Sequence, residues 1–199
     1  TTEIYTLSLH DALPISSAST FWRALLARPR SWASNVGRVG RFGSISAWSM
    51  PPFVVILDAN VLFSQNVRHL LLYLPRTGLV QLKWTDEILD ETMRALARER
   101  PDIPAERLDV LRTLINESTA DPLVTGFDGL VDALELPDPD DRHVLAAAIT
   151  CGAQVIVTNN ITDFPDGSLS PYAIEAQSPD DFLLQLVDRA KDLIIVSGF

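Results

Sequence analysis

The sequence predicts an α/β protein: a three-layer α/β/α sandwich around a mostly parallel central sheet. Two apolar runs carry much of that prediction. Phe53-Val54-Val55-Ile56-Leu57 and Val155-Ile156-Val157 are rich in β-branched residues and show no alternation. Such runs fit strands covered on both faces, as in a parallel sheet between helices. Segments of helical spacing alternate with short strands along the rest of the chain, which is the signature of a layered α/β fold. No internal repeat is present.

Taken in order, the first strand ends at Asp58. Val61 to Leu74 is apolar at helical spacing and is closed by Pro75 and Gly78. Leu79–Trp84 is a short strand. Thr85 is placed to cap a helix with Asp86 and Glu87 in its first turn, where the dipole favours acids; Pro101 stops it after Arg100. Ile88, Leu89, Thr92, Met93 and Leu96 form its core stripe, and Glu91 borders that stripe. Ala105 to Ser118 is another amphipathic helix. Asp121–Val124 is a candidate strand, followed by a Gly126/Gly129 turn and a short helix to Leu134. Asp138, Asp140 and Asp141 precede an Ala-rich helix that ends at Gly152. Ala153–Thr158 is the second buried strand, and Ala173–Ala176 a last short one. Ser178 and Pro179 then open a helix as N-cap and first residue, with Phe182, Leu183, Leu186 and Val187 as its stripe.

The chain has 199 residues, 47% hydrophobic and 21% charged, an ordinary composition for one soluble domain. Its longest apolar run falls far short of the ~18–20 residues of a membrane span. A lone cysteine, Cys151, excludes an internal disulfide and fits a reducing cytoplasm; its Ala-rich setting marks a packed side chain rather than a nucleophile. Charge divides unevenly. Residues 1–49 hold five arginines against Glu3 and Asp11, whereas the remainder holds 11 Lys and Arg against 24 Asp and Glu. So acidic a body argues against indiscriminate nucleic-acid binding. A nuclease stays open, because metal-binding carboxylates add to the negative count.

Residues 6–15 lack any helical or strand period and resemble a translated sequencing adapter. Residues 16–49 are rich in Ser, Arg and Gly and loosely resemble a transit peptide. We read 1–49 as a non-native or disordered extension, Met50 as the start of the protein proper, and 50–199 as the folded domain.

The sequence holds no Ser/His/Asp set, Gly-rich phosphate loop or Cys/His zinc spacing. His10 lies in the extension, His69 has no motif context, and His143 follows Asp141 by two on a helix, so it reads as non-catalytic. What remains is carboxylates at element ends: Asp58 and Asp163 after strands, Asp141 before a helix, and Glu91 on a helix. Capping explains one or two of the Asp138/Asp140/Asp141 group but not three. Asn159, Asn160 and Asp163 have turn formation as their ordinary explanation. Glu91 has a solvated face laced by Asp90–Arg94 as its own. Carboxylates sharing one cleft repel and raise one another's pKa. A hard divalent cation, Mg²⁺ or Mn²⁺, resolves that conflict, one or two ions being possible. Phosphodiester hydrolysis is the natural reaction.

Asp58-Ala59-Asn60-Val61-Leu62, the Glu91 helix, Asp141 before Val144-Leu145-Ala146-Ala147-Ala148, and Thr158-Asn159-Asn160-Ile161-Thr162-Asp163-Phe164 together resemble PIN-domain ribonucleases. Within that family they are similar to the bacterial VapC-type toxins of toxin–antitoxin systems. The resemblance covers nearly all of 53–193 and keeps four blocks in order. It implies a PIN sandwich and an acidic metal-binding quartet at Asp58, Glu91, Asp141 and Asp163, with Asn60 and Thr158 in support. Asn160 competes with Asp163, and Asp138 or Asp140 with Asp141, for the closer ligand position. The resemblance further implies RNA substrates, homodimers and neutralisation by a small antitoxin. Arg94 and Arg98 share Glu91's side of the helix and are candidates for RNA-phosphate contacts; pairing with Asp90 and Glu87 is the alternative.

Two other classes fit less well. A haloacid-dehalogenase phosphatase also starts from a buried strand and an Asp, but wants a second Asp where this chain has Asn60. A PIN module that binds RNA or protein without cutting would not need the intact quartet. An RNA-processing PIN nuclease that is not a toxin would carry the same residues.

Overall fold

The computed structural model describes residues 52–196, with side chains described through residue 190. The extension expected over residues 1–49, and Met50 as a start, lie outside the described residues. Four strands form one sheet: β1 (Phe53–Leu57), β2 (Val80–Lys83), β3 (Val155–Val157) and β4 (Glu175–Gln177). Their order is β2-β1-β3-β4 and every pairing is parallel, with Val55 opposite both Leu82 and Val155. The sheet is therefore wholly parallel. Val55, Ile56 and Leu57 are consecutive and fully buried, so β1 is covered on both faces as its lack of alternation requires.

The helices are α1 (Ala59–Phe63), α2 (Gln65–Tyr73), α3 (Asp86–Glu99), α4 (Ala105–Glu117), α5 (Asp128–Val131), α6 (Arg142–Cys151), α7 (Asp166–Leu169) and α8 (Pro179–Val196). Thr85 caps α3, its hydroxyl accepting from the Ile88 amide at 3.1 Å. Ser178 opens α8, accepting from the Asp181 amide at 3.1 Å and donating to the Asp181 carboxylate at 2.6 Å. Helix α6 packs against β1 and β3. His143 to Ala148 are six successive buried residues, a burial only small side chains such as its three alanines let a helix reach so close to a sheet. Gly152 ends it in the left-handed region, φ 65°, its amide returning to α6 carbonyls.

Three elements differ from the sequence expectation. The helix expected over Val61–Leu74 breaks at Ser64, whose ψ of 116° is extended. The reason is Arg68: its buried guanidinium donates to the carbonyls of Leu62 and of Phe63, satisfying the end of α1 in place of a continuing turn. The Asp121–Val124 strand reduces to one bridge, Leu123 beside Trp84. Asp121 takes a φ of 49°, incompatible with a strand, and binds Lys83 Nζ through its carboxylate at 3.1 Å. The last strand begins two residues late, because Ala173 adopts φ 56° in a turn.

Strand order reverses between β1 and β3. Chain leaving β1 crosses to β2 on one side, and the later strands add on the other. The carboxyl ends of β1 and β3 thus flank the switch point where open α/β sheets form crevices.

Candidate functional site at the β1–β3 switch point

Asp58 is the residue after β1, and its amide extends the ladder by bonding to Val157 O at 3.1 Å. Its carboxylate is buried, at 4% exposure. Oδ1 accepts from the Ala59 amide at 2.5 Å; Oδ2 accepts from Asn60 Nδ2 at 2.5 Å and from the Thr158 hydroxyl at 2.6 Å. A carboxylate offers about four acceptor positions, so three bonds fix its orientation and leave one position free. Asn60 Nδ2 also reaches Thr158 Oγ1 at 3.0 Å, and Asn60 Oδ1 accepts from the Asn159 amide at 3.0 Å. Thr158 Oγ1 in turn accepts from the Asn160 amide at 3.0 Å. These side chains stitch the ends of β1 and β3 together.

The loop after β3 then curls through a short 3₁₀ turn, Ile161–Asp163. Asn160 contributes its backbone N–H and carbonyl, the latter accepting from the Asp163 amide at 3.1 Å. Asp163, half-buried, is the residue whose charge reaches the cluster. A second 3₁₀ turn, Pro139–Asp141, leads into α6. Asp138 caps it by accepting from the Asp140 amide at 2.9 Å; Asp140 is exposed, and Asp141 is half-buried facing the cluster.

Electrostatics show what meets what. Burial pushes the Asp58 carboxyl above its ordinary range; the Thr158 and Ala59 hydrogen bonds pull it back, and the Glu91 charge pushes it further. Burial, then the charges of Asp58, Asp138 and Asp163, pushes the Asp141 carboxyl up to about 7. Asp58 therefore lies in the field of Glu91, and Asp141 in the fields of Asp58, Asp138 and Asp163. Burial likewise pushes the Cys151 thiol up, which suits an inert side chain.

Beside the carboxylates, α1 and α3 enclose a cleft of about 580 Å³. Ala59, Phe63 and Ala95 supply its apolar lining, and Asn60, Glu91, Arg94 and Arg98 its polar edge. Glu91 thus lines the cleft and also meets His143 Nε2 at 3.3 Å. The expected Asp90–Arg94 pair does not form. Asp90 and Asp86 both bind Arg112 of α4, while Arg94 donates to the Asp90 carbonyl at 3.3 Å. Arg98 has an exposed neighbour, Glu99, at 3.4 Å.

A family model described as the PIN domain matches residues 54–162, over half of the chain. The chain belongs to the PIN-domain family. Its matched segment contains Asp58, Glu91 and Asp141 and stops one residue short of Asp163. The chain is also similar to a Mycobacterium tuberculosis protein named "Putative ribonuclease VapC50", at 51% identity over 63 residues. That similarity covers 32% of this chain and 37% of the mycobacterial protein, so it spans little more than a third of the relative's length. The parallel sheet flanked by helices agrees with the PIN sandwich.

Sequence reasoning missed one part of this PIN domain. His143, read as non-catalytic, is 5% exposed, with Nε2 at 3.3 Å from Glu91 and Nδ1 at 3.6 Å from Glu87. Burial favours its neutral form, but the close contact with the Glu91 carboxylate and its charge, then the charges of Glu87 and Asp58, outweigh that and raise its pKa. Two signals were available: Glu87 and Glu91 sit at i and i+4, and a histidine inside a wholly buried helix face needs polar partners.

The raised pKa values set a direction for stability. An acid whose folded pKa exceeds its unfolded value binds more protons when folded, so stability rises as pH falls below the folded value towards the unfolded one. For Asp141 that window runs from about 7 down to 3.8. A raised histidine acts in the same sense, its contribution being lost as pH rises through the folded value. In chelator, the protein is expected to melt at a higher temperature at pH 6 than at pH 8, and Asp141→Asn to raise the pH 8 value. Calorimetry in matched ionic strength checks both, and the opposite slope would contradict the electrostatic account.

Proposed function

We propose that this chain is a divalent-metal-dependent endoribonuclease, the toxin of a type II toxin–antitoxin pair. One observation carries the reading: burial together with the charges of Asp58, Asp138 and Asp163 pushes the Asp141 carboxyl up to about 7, and Glu91 adds its charge at Asp58. Repulsion of that size is tolerable where a cation neutralises it.

The residues fit a hard cation. Their donors are carboxylate oxygens, suited to Mg²⁺ or Mn²⁺, and Asp58 keeps one acceptor position free after its three hydrogen bonds. Asp58, Glu91, Asp141 and Asp163 would hold it, with Asp138 adding charge from the edge. When bound, such an ion neutralises charge on the attacked phosphate and lowers the pKa of water.

The remaining work falls to the chain. Thr158, Asn60 and the Ala59 amide lock Asp58 in one orientation, and Asn160 braces Thr158 through its backbone. Arg94 and Arg98 offer cations at the cleft edge for backbone phosphates. They supply locally what the acidic body lacks. Phe63 and the two alanines give an unpaired base an apolar surface. RNA as substrate, a small antitoxin as partner, a homodimer and a cytoplasmic setting accompany the toxin reading; among the described residues no helix is long and apolar enough to cross a membrane. An RNA-processing PIN nuclease would use the same chemistry, and a neighbouring small gene for a DNA-binding antitoxin separates the two.

With single-stranded RNA, cleavage is expected with Mg²⁺ or Mn²⁺ and none in chelator, and Asp58→Ala is expected to lose at least about 100-fold, the upper end of what even an outer metal partner contributes. Chelator-resistant cleavage, or full activity in that variant, would sink the mechanism. Reversing charge at both Arg94 and Arg98 should raise KM for RNA and leave the melting temperature within a few degrees. Unchanged KM would remove the two arginines from the substrate path.

A further inference from the structure

His143 is a buried polar group beside the carboxylates whose setting the proposed chemistry does not use. It is the second residue of α6, two after Asp141, and both ring nitrogens are closed to solvent without a conventional hydrogen-bond partner. Two carboxylates approach them within ion-pair distance, each at a different nitrogen: Glu87 Oε2 at Nδ1 and Glu91 Oε1 at Nε2. Glu87 and Glu91 stand one turn apart on α3, so the imidazole lies between them as a strut from α6. Glu87 is half-exposed and Glu91 a third exposed, whereas the ring is buried.

We propose that His143, braced by Glu87, is a positioning residue that fixes Glu91 within the carboxylate cluster. This rests on Glu91 belonging to the metal-holding set. Glu91 reaches from a helix by a long side chain with three free torsions, unlike Asp58, which its own hydrogen bonds immobilise. A rigid ring held on its far side by Glu87 removes that freedom. Because His143 and Asp141 share the start of α6, the same ring also sets the spacing between Glu91 and Asp141, which come from different elements. Outer partners of this kind orient metal-holding side chains and tune their affinity.

The three side chains could instead surround a cation themselves, their ligand atoms lying within 4.8 Å of one another. The ring argues otherwise. Its two nitrogens point away from each other, so one ion takes only one of them, yet each already faces its own carboxylate.

Mn²⁺ titration calorimetry on the full chain, with circular dichroism as the folding check, tests the proposal. His143→Leu is expected to fold and to bind Mn²⁺ roughly 10- to 100-fold more weakly. His143→Gln, whose amide can still donate towards Glu91, should recover most of that loss. Should His143→Leu fail to fold, the exposed partner answers the question. Glu87→Gln and Glu87→Met remove the same charge, but only Gln keeps an acceptor for Nδ1, so Met should bind Mn²⁺ more weakly than Gln. Equal affinities in the Leu and Gln variants of His143, or in the Gln and Met variants of Glu87, would overturn the positioning role. Loss of one of two Mn²⁺ equivalents in His143→Leu, with the other unchanged, would overturn it too and mark the trio as a cation site. Failure of the wild type to bind Mn²⁺ would instead defeat the functional reading on which this one stands.

Discussion

The Asp58 carboxylate is buried at the end of β1, and the site takes its form from the need to keep that charge there. Burying an unpaired carboxylate is costly, and among the described residues no salt bridge pairs this one, His143 acting on it only through its charge. Three hydrogen bonds compensate in part, from the Ala59 amide, Asn60 and Thr158. The Thr158 bond also ties the end of the first strand to that of the third, across 100 residues of chain. Remove the three bonds and both the geometry at the switch point and the pairing at the strand ends lose their anchor.

Around that anchor the chain adds negative charge instead of relieving it. Asp141, Asp163 and Glu91 arrive from a helix start, a 3₁₀ turn and a helix face, and burial together with the charges of Asp58, Asp138 and Asp163 pushes the Asp141 carboxyl up to about 7. A structure built only for stability would place an arginine here. Arg112 is instead spent on Asp86 and Asp90 at the outer side of α3, and Arg68 on the carbonyls that end α1. The negative charge is concentrated at the carboxyl ends of β1 and β3, where the strand order reverses. Arg94 and Arg98 stand beside it on the cleft edge, Arg94 bonded to the Asp90 carbonyl and Arg98 paired with the exposed Glu99.

Much of this could be read from the chain because its signals are local. Two strands without alternation announced a covered parallel sheet, and Thr85, Gly152 and Ser178 marked helix ends through their own capping chemistry. Asp58 stood out because a buried strand ran into it. The residues that escaped depend on distant partners. Arg68 breaks a helix by reaching back to carbonyls in the preceding one, and the spacing of apolar residues carries no trace of it. Asp90 has a natural i+4 partner in Arg94, yet α4 brings Arg112 closer. His143 looked idle because its partners lie on another helix, more than fifty residues earlier. Spacing along the chain locates carboxylates; only packing shows which nitrogen faces which oxygen.

The central claim is that these carboxylates form one cation site held short of full ionisation. Mn²⁺ titration of the wild-type chain at pH 7, in two buffers of different ionisation enthalpy, measures it directly through the protons released on binding. With Asp141 near 7, the account predicts saturable binding with about half a proton expelled from that group per ion, falling towards none by pH 9. Absence of saturable binding, or binding with no proton release at pH 7, would contradict it.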